Sequence, residues 1–84
     1  MQIDACACRM SRAALNWSQA RLAHEARVGL QTVLKFENGS SVPRRNNLRE
    51  LVLALERGGI LFLMHDGRFL VVPPLPVPTA IVAD

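Results

Sequence analysis

Residues 17–39 have the sequence WSQARLAHEARVGLQTVLKFENG, which contains the signals for two short helices joined by a tight turn. Ser18 is a good N-cap, because its hydroxyl can accept a hydrogen bond from a free backbone amide at the start of a helix. Leu22, Ala23 and Ala26 then follow at helical spacing and predict a buried stripe on the first helix.

A second short helix is predicted directly after this one. Val28 and Gly29 interrupt the first pattern, and Val33 and Phe36 then share one face of a new helix. The Asn-Gly pair at 38–39 supplies a left-handed C-cap. Two helices joined by a turn of three or four residues fit this spacing, which is that of a helix-turn-helix.

The face of the second helix opposite its buried side chains is polar and basic. At roughly 100° per residue, Gln31, Lys35 and Asn38 point outward there, with Thr32 and Leu34 on the flanks. Gln and Asn amides can pair with adenine, and Lys can reach guanine acceptors or a phosphate. These side chains are suited to a DNA major groove, although on an isolated amphipathic helix the same face would more often be a solvated surface.

These motifs resemble the helix-turn-helix of the lambda-repressor and Cro-like proteins, the XRE family. The resemblance covers about residues 8–57. It rests on WSQ at 17–19, LA at 22–23, Val28, TV at 32–33, FENG at 36–39 and Pro43. It implies a mainly α, compact four-helix DNA-binding domain, usually dimeric, whose second motif helix enters the major groove.

The resemblance also implies roles for individual residues. Arg12 is expected to form a partly buried ion pair with Glu37, which would join the first helix to the end of the recognition helix. Arg21 stands where the family often has Glu, and it either faces a phosphate or is a surface arginine with little effect. Base contacts are expected from Leu30, Gln31, Thr32 and Lys35. Backbone contacts are expected from Gln19, Arg21, Asn38, Ser40, Arg44 and Arg45.

Several positions in the motif depart from the family pattern. Arg27 stands where relatives usually have Gly, and a left-handed arginine costs about 1 to 2 kcal/mol. Gly29 occupies an N-cap usually held by Ser or Thr, which loses only a few tenths of a kcal/mol. We expect the turn to survive, shifted by at most one residue. Leu30 and Leu34 replace residues that are often polar, so we expect at least one of them to contact a thymine methyl.

The positive charge is concentrated in residues 9–49. This segment contains eight basic and two acidic residues, a net charge of +6, whereas the whole chain carries +3. A basic segment of this kind fits a polyanionic partner, and the remainder of the chain is acidic. We therefore expect a DNA-binding domain at 1–58 and an assembly segment at 59–84.

The flanking segments complete the predicted fold. Asp4 is expected to cap a first helix that ends near Leu15, and Asn46 or Asn47 to cap a fourth. Two apolar runs, ILFLM at 60–64 and RFLVV at 68–72, flank an Asp-Gly pair, which is a hairpin turn signal. A Pro-rich, apolar tail follows the hairpin.

The hairpin is expected to mediate dimerisation. The four helices already have enough large apolar residues for a small core, so the hairpin would leave an exposed apolar patch on a monomer. Pairing across a two-fold axis would cover that patch. The residues expected at this interface are Ile60, Leu61, Phe62, Leu63, Phe69, Leu70, Val71 and Val72.

Other functional classes are less well supported. No apolar run approaches the eighteen residues that would cross a membrane, and no signal pattern is present, so we expect a cytoplasmic protein without a membrane partner. His24 and His65 lack companions at metal-ligand spacing, and Ser11 and Ser18 have no arranged base. Cys6 and Cys8 diverge by roughly 200° on a helix, which suits neither a shared metal nor a disulfide. Neither an enzyme nor a bound metal or cofactor is expected.

The sequence therefore predicts a transcriptional regulator that binds double-stranded DNA. We expect a repressor that binds an inverted-repeat operator as a homodimer. The alternative is a protein-interaction module, such as an antitoxin or antiactivator, whose apolar C-terminal segment binds a protein partner.

Overall fold

The computed structural model describes residues 3–74 of the 84-residue chain. The chain forms four helices followed by a two-stranded antiparallel hairpin: α1 (Ala5–Leu15), α2 (Gln19–Ala26), α3 (Leu30–Glu37), α4 (Arg45–Arg57), β1 (Leu61–His65) and β2 (Arg68–Val72). This confirms the predicted mainly helical fold with a C-terminal hairpin. The Pro-rich tail from residue 75 onward lies outside the described residues. None of the helices described here is long and apolar enough to cross a membrane.

The predicted caps fix the starts of α1 and α2. The Asp4 carboxylate accepts a hydrogen bond from the amide of Ala7 at 2.7 Å, and the Ser18 hydroxyl accepts one from the amide of Arg21 at 2.9 Å. Each bond satisfies a backbone donor that has no partner within its own helix. Both helices therefore begin where the sequence places them.

The turn between α2 and α3 forms at the expected position despite its unusual residues. Arg27 adopts the left-handed conformation itself, with φ of 58°, and the amide of Val28 bonds to the carbonyl of Ala23 at 3.0 Å. Gly29 is the N-cap of α3 and makes no side-chain capping bond. The turn is therefore not shifted, and Arg27 takes the left-handed position that relatives usually fill with Gly.

The start of α4 differs from the prediction. Arg44, not Asn46 or Asn47, is the N-cap, and no side chain caps the helix. The carbonyl of Arg44 already accepts a bond from the amide of Leu48 at 2.9 Å, so the helix begins at Arg45, two residues after Pro43. Capping preference therefore misplaced the N-cap by two or three residues, because the backbone is already helical from Arg45 onward.

The core lies between the helices and extends under the hairpin. Its largest fully buried apolar side chains are those of Leu22, Val33, Leu51 and Leu55. Gly58, at the end of α4, allows a close approach of the chain to α1. A Cβ atom at Gly58 would lie 2.7 Å from Leu15 Cδ1 and 3.0 Å from Trp17, so a larger residue there would push these side chains away.

The hairpin has one face against the helices and one face toward solvent. In the β1–β2 register, Phe62 pairs with Val71, and Leu63 pairs with Leu70. Side chains alternate along a strand, so the two pairs lie on opposite faces. Phe62 is buried and makes an edge-on contact with Phe69, with ring centroids 6.5 Å apart, whereas Leu63 and Leu70 are exposed.

The expectation of a hairpin surface made of all eight apolar residues is therefore wrong for two of them. Ile60 and Phe62 are 3% and 7% exposed, because they complete the core beneath the helices. Phe69 and Val71 are half-buried against the same core. The other four of the eight residues lie together on the opposite face of the hairpin, which we call the outer face: Leu61, Leu63, Leu70 and Val72.

Candidate nucleic-acid interface

Helix α3 separates its side chains cleanly between core and surface. Val33 and Phe36 are buried, and both contribute to the core. Gln31 and Lys35, on the opposite side of the helix, are exposed. The surface of α3 therefore presents an amide and an ammonium group, as the helical spacing predicted.

The last residue of α3 is held by hydrogen bonds from α1 and α2. Glu37 Oε2 accepts from Arg12 Nε at 2.8 Å and from Cys8 Sγ at 3.2 Å. Glu37 Oε1 accepts from Arg12 Nη2 at 2.7 Å and from Gln19 Nε2 at 3.1 Å, and the Glu37 carbonyl accepts from Arg9 Nη1 at 2.5 Å. The ion pair implied by the family resemblance is thus part of a larger network that fixes α3 relative to α1 and α2.

Burial and hydrogen bonding act in opposite directions on the pKa of Glu37. Its side chain is only 2% exposed, and burial alone raises the pKa of a carboxyl group. Hydrogen bonds from Arg12, Cys8 and Gln19 outweigh that effect and hold the pKa below its ordinary value. For the Cys8 thiol, burial and the bond to Glu37 both raise the pKa. The network therefore combines an ionised carboxylate with a protonated thiol.

The start of α2 carries the first two predicted backbone contacts. Gln19 is half-buried, and its amide nitrogen is already used by Glu37, so its side-chain oxygen is the group free of that bond. Arg21 lies over the ring of Trp17, with Cζ 4.9 Å from the centroid, and pairs with Glu25 at 2.9 Å. These contacts offset the unfavourable position of a cation in the first turn of a helix.

The loop after α3 carries the remaining predicted backbone contacts. Asn38 Oδ1 accepts a hydrogen bond from the amide of Ser40 at 2.8 Å, and this bond stabilises the loop. The side-chain amide nitrogen of Asn38 takes no part in that bond. Gly39 follows with φ of 83°, which reverses the chain after α3. Arg44 and Arg45 are exposed at the start of α4. The structure thus leaves both guanidinium groups accessible to a phosphate.

The residues predicted to contact bases are not equally accessible. Leu30, Gln31 and Lys35 are exposed, whereas Thr32 is half-buried beside the first turn of α3. Thr32 Oγ1 lies 3.8 Å from the position that a Cβ atom of Gly29 would occupy. Three of the four side chains therefore project from α3 into solvent, whereas that of Thr32 is partly covered by the protein.

Two residues of the Glu37 network were not assigned to the site from the sequence. Cys8 and Arg9 donate to the side chain and the carbonyl of Glu37, respectively. The spacing contains a usable signal for Cys8, because it lies four residues before Arg12 and so shares a face of α1 with it. Nothing in the spacing indicates the role of Arg9, whose contact depends on where α3 ends in the folded chain.

The model of the family HTH_3, helix-turn-helix, matches residues 9–59, which is more than half of the chain. The chain belongs to the HTH_3 helix-turn-helix family. The matched range begins within α1 and contains α2 to α4, with Arg12, Gln19, Glu37 and the exposed face of α3. It confirms the resemblance drawn from the motif residues. No relative among the curated proteins matches the chain.

Membership in the HTH_3 family identifies a DNA-binding transcription regulator of the XRE type. Helix α3 is the second helix of the motif, the position that enters the major groove in helix-turn-helix proteins bound to DNA. Members of the family are typically not enzymes. Within residues 3–74, no group of three or more His, Cys, Asp or Glu side chains could hold a metal ion.

Proposed function

We propose that this HTH_3 protein is a sequence-specific repressor that binds an inverted-repeat operator as a homodimer. The observation that carries the proposal is the exposed face of α3, from which Gln31 and Lys35 project. The last residue of this helix, Glu37, is held in place by hydrogen bonds from Arg12. A recognition helix must be held rigidly if its side chains are to distinguish base pairs. Repression needs no further surface, because a protein bound across a promoter blocks it by occupancy.

The proposed contacts divide into base readout and positioning. Gln31 and Lys35 read bases, since a side-chain amide can form two hydrogen bonds with adenine and an ammonium group can reach the acceptors of guanine. Leu30 and Thr32 lie beside them at the start of α3. The groups proposed to bind phosphates are on Gln19, Arg21, Asn38, Ser40, Arg44 and Arg45, and such contacts set the orientation of the protein on the duplex.

Among the proposed phosphate ligands, Arg21 has a side chain that already has charged and aromatic partners within the protein. Its guanidinium already pairs with Glu25 and stacks on Trp17. The side chain is nevertheless 54% exposed, so it can contact a phosphate from one side while it keeps the stack. We propose that Trp17 holds the guanidinium in place, which reduces the entropy lost when the phosphate binds.

The outer face of the hairpin supports homodimerisation. An antiparallel hairpin with one face on the core ordinarily has polar residues on the other face. Here Leu61, Leu63 and Leu70 are 53%, 45% and 42% exposed, and Leu63 and Leu70 are paired side by side. We propose that two copies bury this face against each other, so that residues 59–84 serve assembly. The two recognition helices would then meet successive major grooves, about 34 Å apart.

A second candidate function rests on the same outer face. An apolar face of this kind can equally bind a different protein, as in an antitoxin or antiactivator. In that case the DNA-binding part and the hairpin would act separately. The two candidates differ in the oligomeric state of the pure protein.

Sedimentation velocity at micromolar concentration tests the homodimer. We expect the intact protein to sediment as a dimer and the double variant Leu63→Thr/Leu70→Thr as a folded monomer, since threonine suits a strand but removes apolar surface. Met64→Thr is the matched control, because Met64 is 56% exposed but pairs with Phe69 and so lies off the outer face. This control should remain a dimer.

A monomeric wild-type protein would reject the homodimer and favour the partner-binding candidate. The substitutions are preferable to a chain that ends before the hairpin, because Ile60 and Phe62 belong to the core and their loss would destabilise the whole fold. The DNA-binding part of the proposal is tested separately, by binding of the dimer to a duplex selected from a random pool.

A further inference from the structure

The exposed surface of α3 carries two chemically different stripes. Leu30 and Leu34 are four residues apart and share one flank of the helix. Gln31 and Lys35 are also four residues apart and form a polar stripe, roughly 100° further around the helix. Leu30 is 43% exposed, whereas Leu34 is half-buried. Leu30 is therefore the apolar side chain that projects from the start of α3.

Within residues 3–74, the start of α3 is exposed. Gly29 precedes Leu30 with φ of −68°, a conformation open to any residue, and makes no capping bond. A Cβ atom at Gly29 would meet only Thr32 Oγ1, at 3.8 Å, so internal packing does not require glycine there. Because Gly29 has no side chain, it adds no bulk in front of the first turn of α3. Leu30 can therefore approach a facing surface closely.

The major groove of a T·A pair presents the same two chemistries side by side. Thymine contributes its C5-methyl group, and the paired adenine contributes N7 and the N6 amino group. An apolar side chain beside an amide side chain matches that edge. A G·C pair has no methyl group, so burying Leu30 against it would give no comparable apolar contact.

We propose that Leu30 packs against the C5-methyl group of a thymine in each operator half-site, next to the base contacted by Gln31. This inference rests on the proposed sequence-specific binding by α3. It assigns Leu30 as a specificity-determining residue and requires a thymine in the half-site. Leu34, one turn further along α3, is half-buried, so this contact is assigned to Leu30 alone.

Replacement of thymine by uracil tests the proposal, because uracil lacks only the C5-methyl group. In the duplex selected by the wild-type protein, each thymine is replaced in turn and affinity is measured by fluorescence anisotropy. We expect one position in each half-site to weaken binding about fourfold, which corresponds to the ~0.8 kcal/mol of one buried methyl group. The Leu30→Ala variant should bind the thymine and uracil duplexes equally at that position.

Met10→Ala is the matched control, because Met10 is 45% exposed on α1 and lies outside the motif. This variant should keep the full preference for thymine. If the selected duplex binds but no replacement weakens it, or if Leu30→Ala discriminates as well as the wild type, the proposed methyl contact is wrong while sequence-specific binding stands. If no duplex is preferred over random DNA, the proposed function fails together with it.

Discussion

Arg12 on α1 and Glu37 at the end of α3 are joined by two hydrogen bonds, Nε to Oε2 at 2.8 Å and Nη2 to Oε1 at 2.7 Å. The two residues are 25 positions apart in sequence, so the pair fixes one helix against another. The Glu37 side chain is 2% exposed and that of Arg12 is 20% exposed. The orientation of α3 therefore depends on a nearly buried charge pair.

Removal of Arg12 should destabilise the protein strongly. Arg12→Ala leaves the Glu37 carboxylate buried without its main partner, and breaking such a pair costs about 3 kcal/mol or more. Unfolding in urea, followed by circular dichroism, measures the loss. Arg21→Ala is the matched control, because the Arg21–Glu25 pair is exposed and is worth at most about 1 kcal/mol. Equal losses in the two variants would show that the Arg12 pair contributes no more than a surface contact.

The stability of the protein should fall in acid because of Glu37. Its folded-state pKa lies below the ordinary value of 4.5, so its contribution to the free energy of unfolding is complete above that pH. The contribution is lost as pH falls from about 4.5 through the lower folded-state pKa. Urea unfolding at a series of pH values should therefore show a steeper acid loss for the wild type than for Glu37→Gln, whose side chain does not titrate. Parallel curves would contradict this.

The two cysteines should differ in reactivity. Cys8 is fully buried and its pKa is raised, so its reactive thiolate is suppressed, whereas Cys6 is exposed. With iodoacetamide at pH 8, we expect one thiol per folded chain to react, and the second only in denaturing urea. The Cys6→Ser variant supplies the control and should show no modification when folded. Rapid modification of Cys8 in that variant would show that the start of α1 opens readily.

Local signals explain why much of the fold is predictable from sequence. The side chains of Asp4 and Ser18 act only on neighbouring amides, and the Asp-Gly turn of the hairpin requires left-handed conformations that glycine favours. The exposed face of α3 follows from helical geometry alone. These features depend on a few consecutive residues, so the sequence is sufficient to place them.

The remaining features depend on contacts between distant segments. The run from Ile60 to Met64 is apolar at every position, so alternation does not reveal that Phe62 faces the core and Leu63 faces solvent. That distinction arises when the hairpin packs on the helices. Cys8 likewise belongs to the Glu37 network only because α3 ends beside α1 in the folded chain. Sequence patterns therefore predicted which face of α3 is exposed better than they predicted the contacts that hold the helix in place.

Arg44 and Arg45 should contribute phosphate contacts without sequence preference. Both are exposed at the start of α4, directly after the loop that follows α3. Each Ala substitution should weaken binding on all duplexes and reduce the slope of log affinity against log salt by about 0.9. Arg68→Ala is the control, since Arg68 is exposed at the hairpin, and its slope should match the wild type. Unchanged slopes for Arg44→Ala and Arg45→Ala would place these groups away from the DNA.

The central claim is that the exposed face of α3 reads base sequence, and Gln31 lies at its centre. Selection of bound duplexes from a random pool, performed with the wild type and with Gln31→Ala, tests it most directly. We expect the wild type to enrich an inverted repeat with half-sites about 34 Å apart. The variant should bind that site about 1 to 3 kcal/mol more weakly and lose its preference at one base pair in each half-site. Enrichment of the same sequence by both proteins, or of no sequence by the wild type, would contradict the claim.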